Sequence, residues 1–138
     1  MSVVQDLTTA LREFRRPRLW LGLWAFGWVL CVVLSLIHPP QLGVDLPDSD
    51  KIGHFLAYGL LSAWSVWIFA SRRSHLVSAI ALVLLGIAME LAQGALTNDR
   101  MMDVRDAWAD TIGVLIGQLF ALGPAKSLLQ RVEARWLR

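Results

Sequence analysis

Apolar residues fall into four stretches along this chain, separated by short polar segments. The first, residues 19–37, reads LWLGLWAFGWVLCVVLSLI and carries no charge. At ~1.5 Å per helical residue it reaches across most of a hydrocarbon core of ~30 Å. His38, Pro39 and Pro40 end it, because a proline pair cannot continue helical hydrogen bonding. A polar stretch at 41–50 leads to the second run, 52–70. The turn SRRSH at 71–75 then joins it to the third, 76–95. After the polar segment LTNDRMMDVRD comes a last run at 107–122, which makes a full span only if its helix begins near Asp103. The pattern predicts an all-α integral membrane four-helix bundle, with spans at 19–37, 52–70, 76–95 and 103–122.

The two ends read differently. Val4, Leu7, Leu11 and Phe14 share one helical face within segment 1–18, as do Leu128, Val132 and Trp136 within the basic tail 123–138. Basic amphipathic segments of this kind lie on a membrane surface with lysine and arginine toward anionic headgroups. The arginines before the first run resemble the basic region of a signal peptide. The run is too long for one, however, and the following IHPPQ offers no small-residue cleavage site, so the reading is a retained helix. Trp20, Trp24 and Trp28 recur every four residues and form a stripe suited to packing and interfacial anchoring.

Composition agrees with a bilayer as solvent. The chain has 138 residues, 56% of them hydrophobic, and a mean hydropathy of +0.52. A soluble chain this short could not hide four long apolar runs from water. A net charge of only +2 argues against a nucleic-acid partner. The single cysteine, Cys31, excludes a disulfide framework or a paired-cysteine metal knuckle. Charge distribution says more than net charge. Arg12, Arg15, Arg16 and Arg18, the Arg72–Arg73 pair, and Lys126, Arg131, Arg135 and Arg138 make ten of thirteen basic residues on one side of the predicted bundle. Lys51, Arg100 and Arg105 lie on the other side, beside most of the acids. The positive-inside bias then puts both termini and the 71–75 turn in the cytoplasm, with the two longer polar loops outside.

Ionisable groups inside a span cost ~2.5–3.5 kcal/mol each on insertion scales, so their positions carry information. Lys51, His54 and Tyr58 open the second run on one helical face; Glu90 and Gln93 lie three apart near the end of the third. Arg100 sits in the outer loop, and Asp103, Asp106 and Asp110 open the fourth run on one face. Counting residues along each helix brings all of these to one level near the outer surface. The expectation is one outward-opening polar site, set against the alternative of an ion network that only fixes helix register. Gly113 and Gly117 form a GxxxG pattern that lets another helix approach closely, read first as packing within the chain.

The stretches DKIGHFLAYGLLS at 50–62, MELAQ at 89–93 and RMMDVRDAWADTIGVLIG at 100–117 resemble the VanZ-like membrane protein family. Asp50, Lys51, His54, Tyr58, Glu90, Gln93, Arg100 and Asp106 match that family's pattern. Asp110 departs from it, standing beside Thr111 where the family usually has asparagine, which changes the charge of the site or requires a protonated Asp110. The resemblance implies a bacterial cytoplasmic (inner) membrane protein. It also implies a link to glycopeptide resistance of the teicoplanin type, but it brings no established reaction.

Three functional readings stay open on sequence. One is a binding or transport-like module for an envelope lipid or glycolipid headgroup, with Lys51 and Arg100 toward phosphate and the acids and His54 toward hydroxyl or amine groups. Another is an intramembrane enzyme using His54 with Glu90 or Asp106 as an acid–base pair. The third is an accessory subunit for a membrane protein partner, its polar cluster purely structural. A metal site is conceivable from His54, Glu90 and Asp106, but no HExxH-type spacing supports it, so neither a metal nor another cofactor is expected.

Overall fold

Five α-helices and two short 3-10 turns follow one another in the computed structural model, which describes residues 10–37, 48–98 and 101–137. The helices are α1 Pro17–Leu36, α2 Ser49–Ile68, α3 Arg72–Leu96, α4 Val104–Gln118 and α5 Leu128–Trp136, with the 3-10 turns Leu119–Ala121 and Gly123–Ser127 between the last two. Val4, Leu7, His38 and Arg100 lie outside the described residues. The fold is all-helical among the described residues, apart from a single bridge between Leu11 and Phe69.

Two helices, α1 and α3, are long and apolar enough to cross a membrane. A third span results if α4, its 3-10 turn and the tail helix are taken together, although that pair bends by 89°. The bend has a local cause. Gly123 takes a left-handed conformation at φ +69°, which glycine adopts without a Cβ penalty, and Pro124 follows it. Within the fourth apolar run the chain is α-helical over Val104–Gln118 and continues as the 3-10 turn to Ala121, before the bend. The second run is as long as the first, but α2 opens on Ser49, Asp50 and Lys51 and carries His54 on its next turn.

The arrangement is apolar outside and partly polar within. Phe26, Val29, Leu76, Leu84, Leu91 and Leu115 all face outward, whereas Ser62, Ser65, His54, Glu90, Asp106 and Asp110 are buried. Solvation by lipid accounts for both facts, because side chains outside a bundle then cost nothing by being apolar. α2 is the central helix, touching α1, α3 and α4 and packing most closely on α4. Glycines permit that approach. A Cβ at Gly117 would stand 2.5 Å from Gly59 O and 2.6 Å from Ser62 Cβ, and one at Gly113 would collide with Phe55 O. The GxxxG pattern is thus used within the chain. Ser62 Oγ strengthens the contact by donating to Val114 O at 2.7 Å.

The end of the helices opposite the acidic residues is closed by the described terminal segments. Leu11, Trp20, Ala63, Trp67, Phe69 and Leu129 form one cluster there. The backbone of Arg12 donates to Ile68 O and that of Ala70 to Ala10 O. Glu133 on α5 reaches the start of α1, accepting the backbone N–H of Arg15 at 2.7 Å, that of Arg16 at 3.0 Å and the Trp20 indole N–H at 2.9 Å. Burial alone would push this carboxyl up, but those hydrogen bonds and the Arg15 charge hold it below the usual carboxylate range. The described terminal residues and the 71–75 turn therefore share one end of the molecule. On α5, Leu129 and Glu133 face the bundle while Trp136 is exposed.

Because the α2–α4 contact is backbone against backbone, it tolerates no side chain. Gly117→Val is expected to destabilise the protein by about 1–3 kcal/mol, seen as a lower unfolding midpoint in mild detergent. Gly22→Ala, at a position with nothing within 4 Å, should leave the midpoint unchanged or raise it.

Candidate functional site

Three helix segments meet at the end of the bundle away from the termini. The first three turns of α2 supply Lys51, His54 and Tyr58, which share a face through spacings of three and four. The last third of α3 supplies Glu90, and the first turns of α4 supply Asp106 and Asp110. Asp103 is the N-cap of α4, its carboxylate accepting the Arg105 N–H at 2.8 Å.

Lys51 stands at the mouth. Its Nζ meets Asp103 Oδ2 at 3.2 Å, Asp106 Oδ1 at 3.3 Å and Asp48 Oδ1 at 3.8 Å, tying the start of α2 to the start of α4. Deeper, His54 Nδ1 lies 3.0 Å from Asp110 Oδ1, and its Nε2 lies 4.0 Å from Asp106 Oδ2. Tyr58 stacks parallel to the imidazole, with ring centroids 6.4 Å apart. Glu90 Oε2 accepts the backbone N–H of Asp103 at 3.0 Å, joining α3 to the first turn of α4. His54, Tyr58, Glu90, Asp106 and Asp110 are each no more than 8% exposed, so the cluster lies within the bundle and not on its rim.

Most of the residues nominated from sequence therefore come together, with two exceptions. Gln93 is buried, but its amide donates to Ser35 O on α1 at 2.8 Å, which places it in the α1–α3 packing. Arg100 lies outside the described residues. Asp110, the departure from the family pattern, is built into the site: Oδ1 faces His54, while Oδ2 rests where a Cβ at Gly86 would stand, only 2.7 Å away. That Oδ2 and Glu90 Oε1 are buried with no hydrogen-bond partner among the described residues. The Tyr58 hydroxyl faces Cys31 and makes no conventional hydrogen bond.

Beside the cluster, a groove of about 430 Å³ runs between α3 and α4. Ile87, Leu91, Met102, Val104 and Trp108 line it, with Glu90 at its wall. An acid thus borders an apolar channel that opens to the outside of the bundle.

The model of the VanZ/LLP1 family matches residues 24–128, more than half of the chain. The chain belongs to the VanZ/LLP1 family. No curated protein and no solved structure matches it. Every residue of the cluster from Lys51 to Asp110 falls inside the VanZ/LLP1 match, which ends within the tail helix. Family membership and the apolar helices together make this a membrane protein of the cell envelope.

Sequence reasoning passed over three contributors to this VanZ/LLP1 site. Asp48 precedes α2 and pairs with both Lys51 and, at 3.9 Å, Arg105. Its signal was its place three residues before Lys51. Gly86 lies one turn before Glu90 on the same face of α3 and makes room for Asp110. Cys31 reaches Tyr58 from α1, and nothing in its apolar surroundings pointed there.

The His54–Asp110 pair couples α2 to α4 inside the bundle, so removing one partner strands the other. His54→Leu is expected to cost about 3 kcal/mol by leaving a buried carboxylate unpaired. Adding Asp110→Leu should recover at least half of that loss, as measured by denaturant unfolding in detergent. A double variant less stable than the single one would show that the pair does not govern the stability of Asp110.

Proposed function

We propose that this protein spans the bacterial cytoplasmic membrane four times, with both termini in the cytoplasm, and holds the headgroup of an envelope lipid or glycolipid in an outward-facing site. α2 and α4 act in this reading as the second and fourth spans. Their polar residues turn inward to the cluster, so the lipid-facing surface stays apolar despite their composition. The arginine distribution supports the orientation, as does the meeting of both described termini at the end that holds Arg72 and Arg73.

The observation that carries the reading is the junction between Glu90 and the α3–α4 groove. A lipid has the matching form, an apolar chain ending in a polar, hydrogen-bonding head. Its acyl chain takes the groove past Leu91 and Trp108. Its headgroup meets Glu90, and beyond it the ammonium of Lys51 and the neighbouring carboxylates. Glycopeptide resistance of the teicoplanin type would follow from holding such a lipid away from the drug.

A second reading rests on the His54–Asp110 hydrogen bond. A carboxylate that fixes one imidazole nitrogen leaves the other, here facing Asp106, placed for proton transfer. Under that reading the site is an intramembrane acid–base centre acting on the same lipid class.

Native mass spectrometry with lipid identification separates these from a purely structural cluster. Wild-type protein in mild detergent is expected to retain one selective envelope lipid. Glu90→Gln is expected to lower that retention at least tenfold while the protein stays folded. Retention without turnover supports binding; conversion of the retained lipid, lost in His54→Ala, supports the enzyme. A wild-type protein with no selective lipid contradicts both and leaves the accessory role.

A further inference from the structure

One donor atom each from His54, Glu90 and Asp110 lies within 4.8 Å of the other two, although the three residues come from three different helices. All three side chains are more than nine-tenths buried. Two of the oxygens, Glu90 Oε1 and Asp110 Oδ2, have no hydrogen-bond partner among the described residues. A buried carboxylate oxygen with no donor near it is costly, and proteins rarely leave two together without something to satisfy them. Among the described residues, the nearby charge of Lys51 does not do so, because its Nζ is engaged at the mouth by Asp48, Asp103 and Asp106.

We propose that His54, Glu90 and Asp110 form a binding site for a divalent transition-metal cation such as Zn²⁺ or Mn²⁺. The donor set decides the class. One imidazole with two carboxylates suits a borderline cation better than Mg²⁺ or Ca²⁺, which take oxygen ligands. Metal–ligand bonds of ~2.0–2.2 Å put the donors of one ion no more than ~4.4 Å apart, so the side chains need only small closing movements. The surroundings already supply an outer layer. With Nδ1 turned to the ion, the Nε2–H of His54 faces Asp106, which Lys51 holds in turn. Tyr58 stacked on the ring fixes its plane. Three protein donors leave coordination positions open toward the Glu90 groove, where a phosphate or hydroxyl oxygen of a ligand can complete the shell. The sequence offered His54 and Glu90 with Asp106 as conceivable ligands; packing puts Asp110 in the third place, and no HExxH spacing marks it because that pattern gathers ligands on one helix.

The site shares residues with the lipid-headgroup reading, but its test uses no lipid, so either can fail alone. Tag-free protein, stripped with chelator in detergent, is titrated with Zn²⁺ or Mn²⁺ alone, and bound metal is measured by elemental analysis. One ion per chain is expected. Glu90→Gln and Asp110→Asn should each weaken binding more than tenfold, and Asp106→Asn about tenfold, as outer-layer changes do. Absence of stoichiometric metal in wild type, or equal binding by folded variants, overturns the proposal. X-ray absorption on the loaded wild-type protein covers the case in which variants fail to fold. One imidazole with oxygen neighbours is expected; sulfur, several imidazoles or none would overturn it.

Discussion

Carboxylates taken out of water among apolar helices must find partners, and here the partners are on other helices. Lys51 on α2 meets Asp103 and Asp106 at the head of α4, His54 on α2 meets Asp110 on α4, and Glu90 on α3 takes the backbone N–H of Asp103. Each bond crosses a helix interface, so the polar cluster and the helix packing specify one another. Van der Waals contact alone would let α2 and α4 slide along their glycine-lined seam. The charged pairs at its end fix the register. The cost of that arrangement is visible in Glu90 Oε1 and Asp110 Oδ2, left without hydrogen bonds among the described residues.

The two ends of the molecule solve different problems. At the terminal end, tryptophans and leucines pack together, and Glu133 gathers the backbone of Arg15 and Arg16 with the indole of Trp20. That end pairs its buried carboxylate internally, and only the Trp67 indole N–H is left without a partner among the described residues. At the other end the polar groups exceed their own pairing capacity, and an apolar groove leads up to them. A structural staple would be expected to resemble the first end; a site that awaits a ligand resembles the second.

Much of this was legible in the sequence because membranes leave few choices. Charge in an apolar run has to be accommodated, so the spacing of Lys51, His54 and Tyr58, and of Asp103, Asp106 and Asp110, gave the faces that meet. Gly113 and Gly117 gave the seam. Other features depended on packing that spacing does not encode. Gln93 shares a helix end with Glu90, yet bonds toward α1. The run ending at Leu122 was visible in hydropathy, but the sharpness of the turn that Gly123 and Pro124 make after the 3-10 segment was not. Glu133 is the one acid in a basic tail, and the return of α5 to the start of α1 gives it partners. Gly86 drew no attention because a glycine in an apolar helix has no distinct pattern until a neighbour fills the space it leaves.

The central claim is that the polar cluster opens to the outer face of the membrane while the joined termini stay inside. Labelling of single cysteines by a membrane-impermeant maleimide in intact spheroplasts tests it most directly, in a Cys31→Ser background. Asp48→Cys, exposed beside Lys51, is predicted to label from outside, and Arg135→Cys, exposed on the tail helix, only after permeabilisation. Labelling of position 135 but not 48 from outside would turn the site to the cytoplasm and contradict the account.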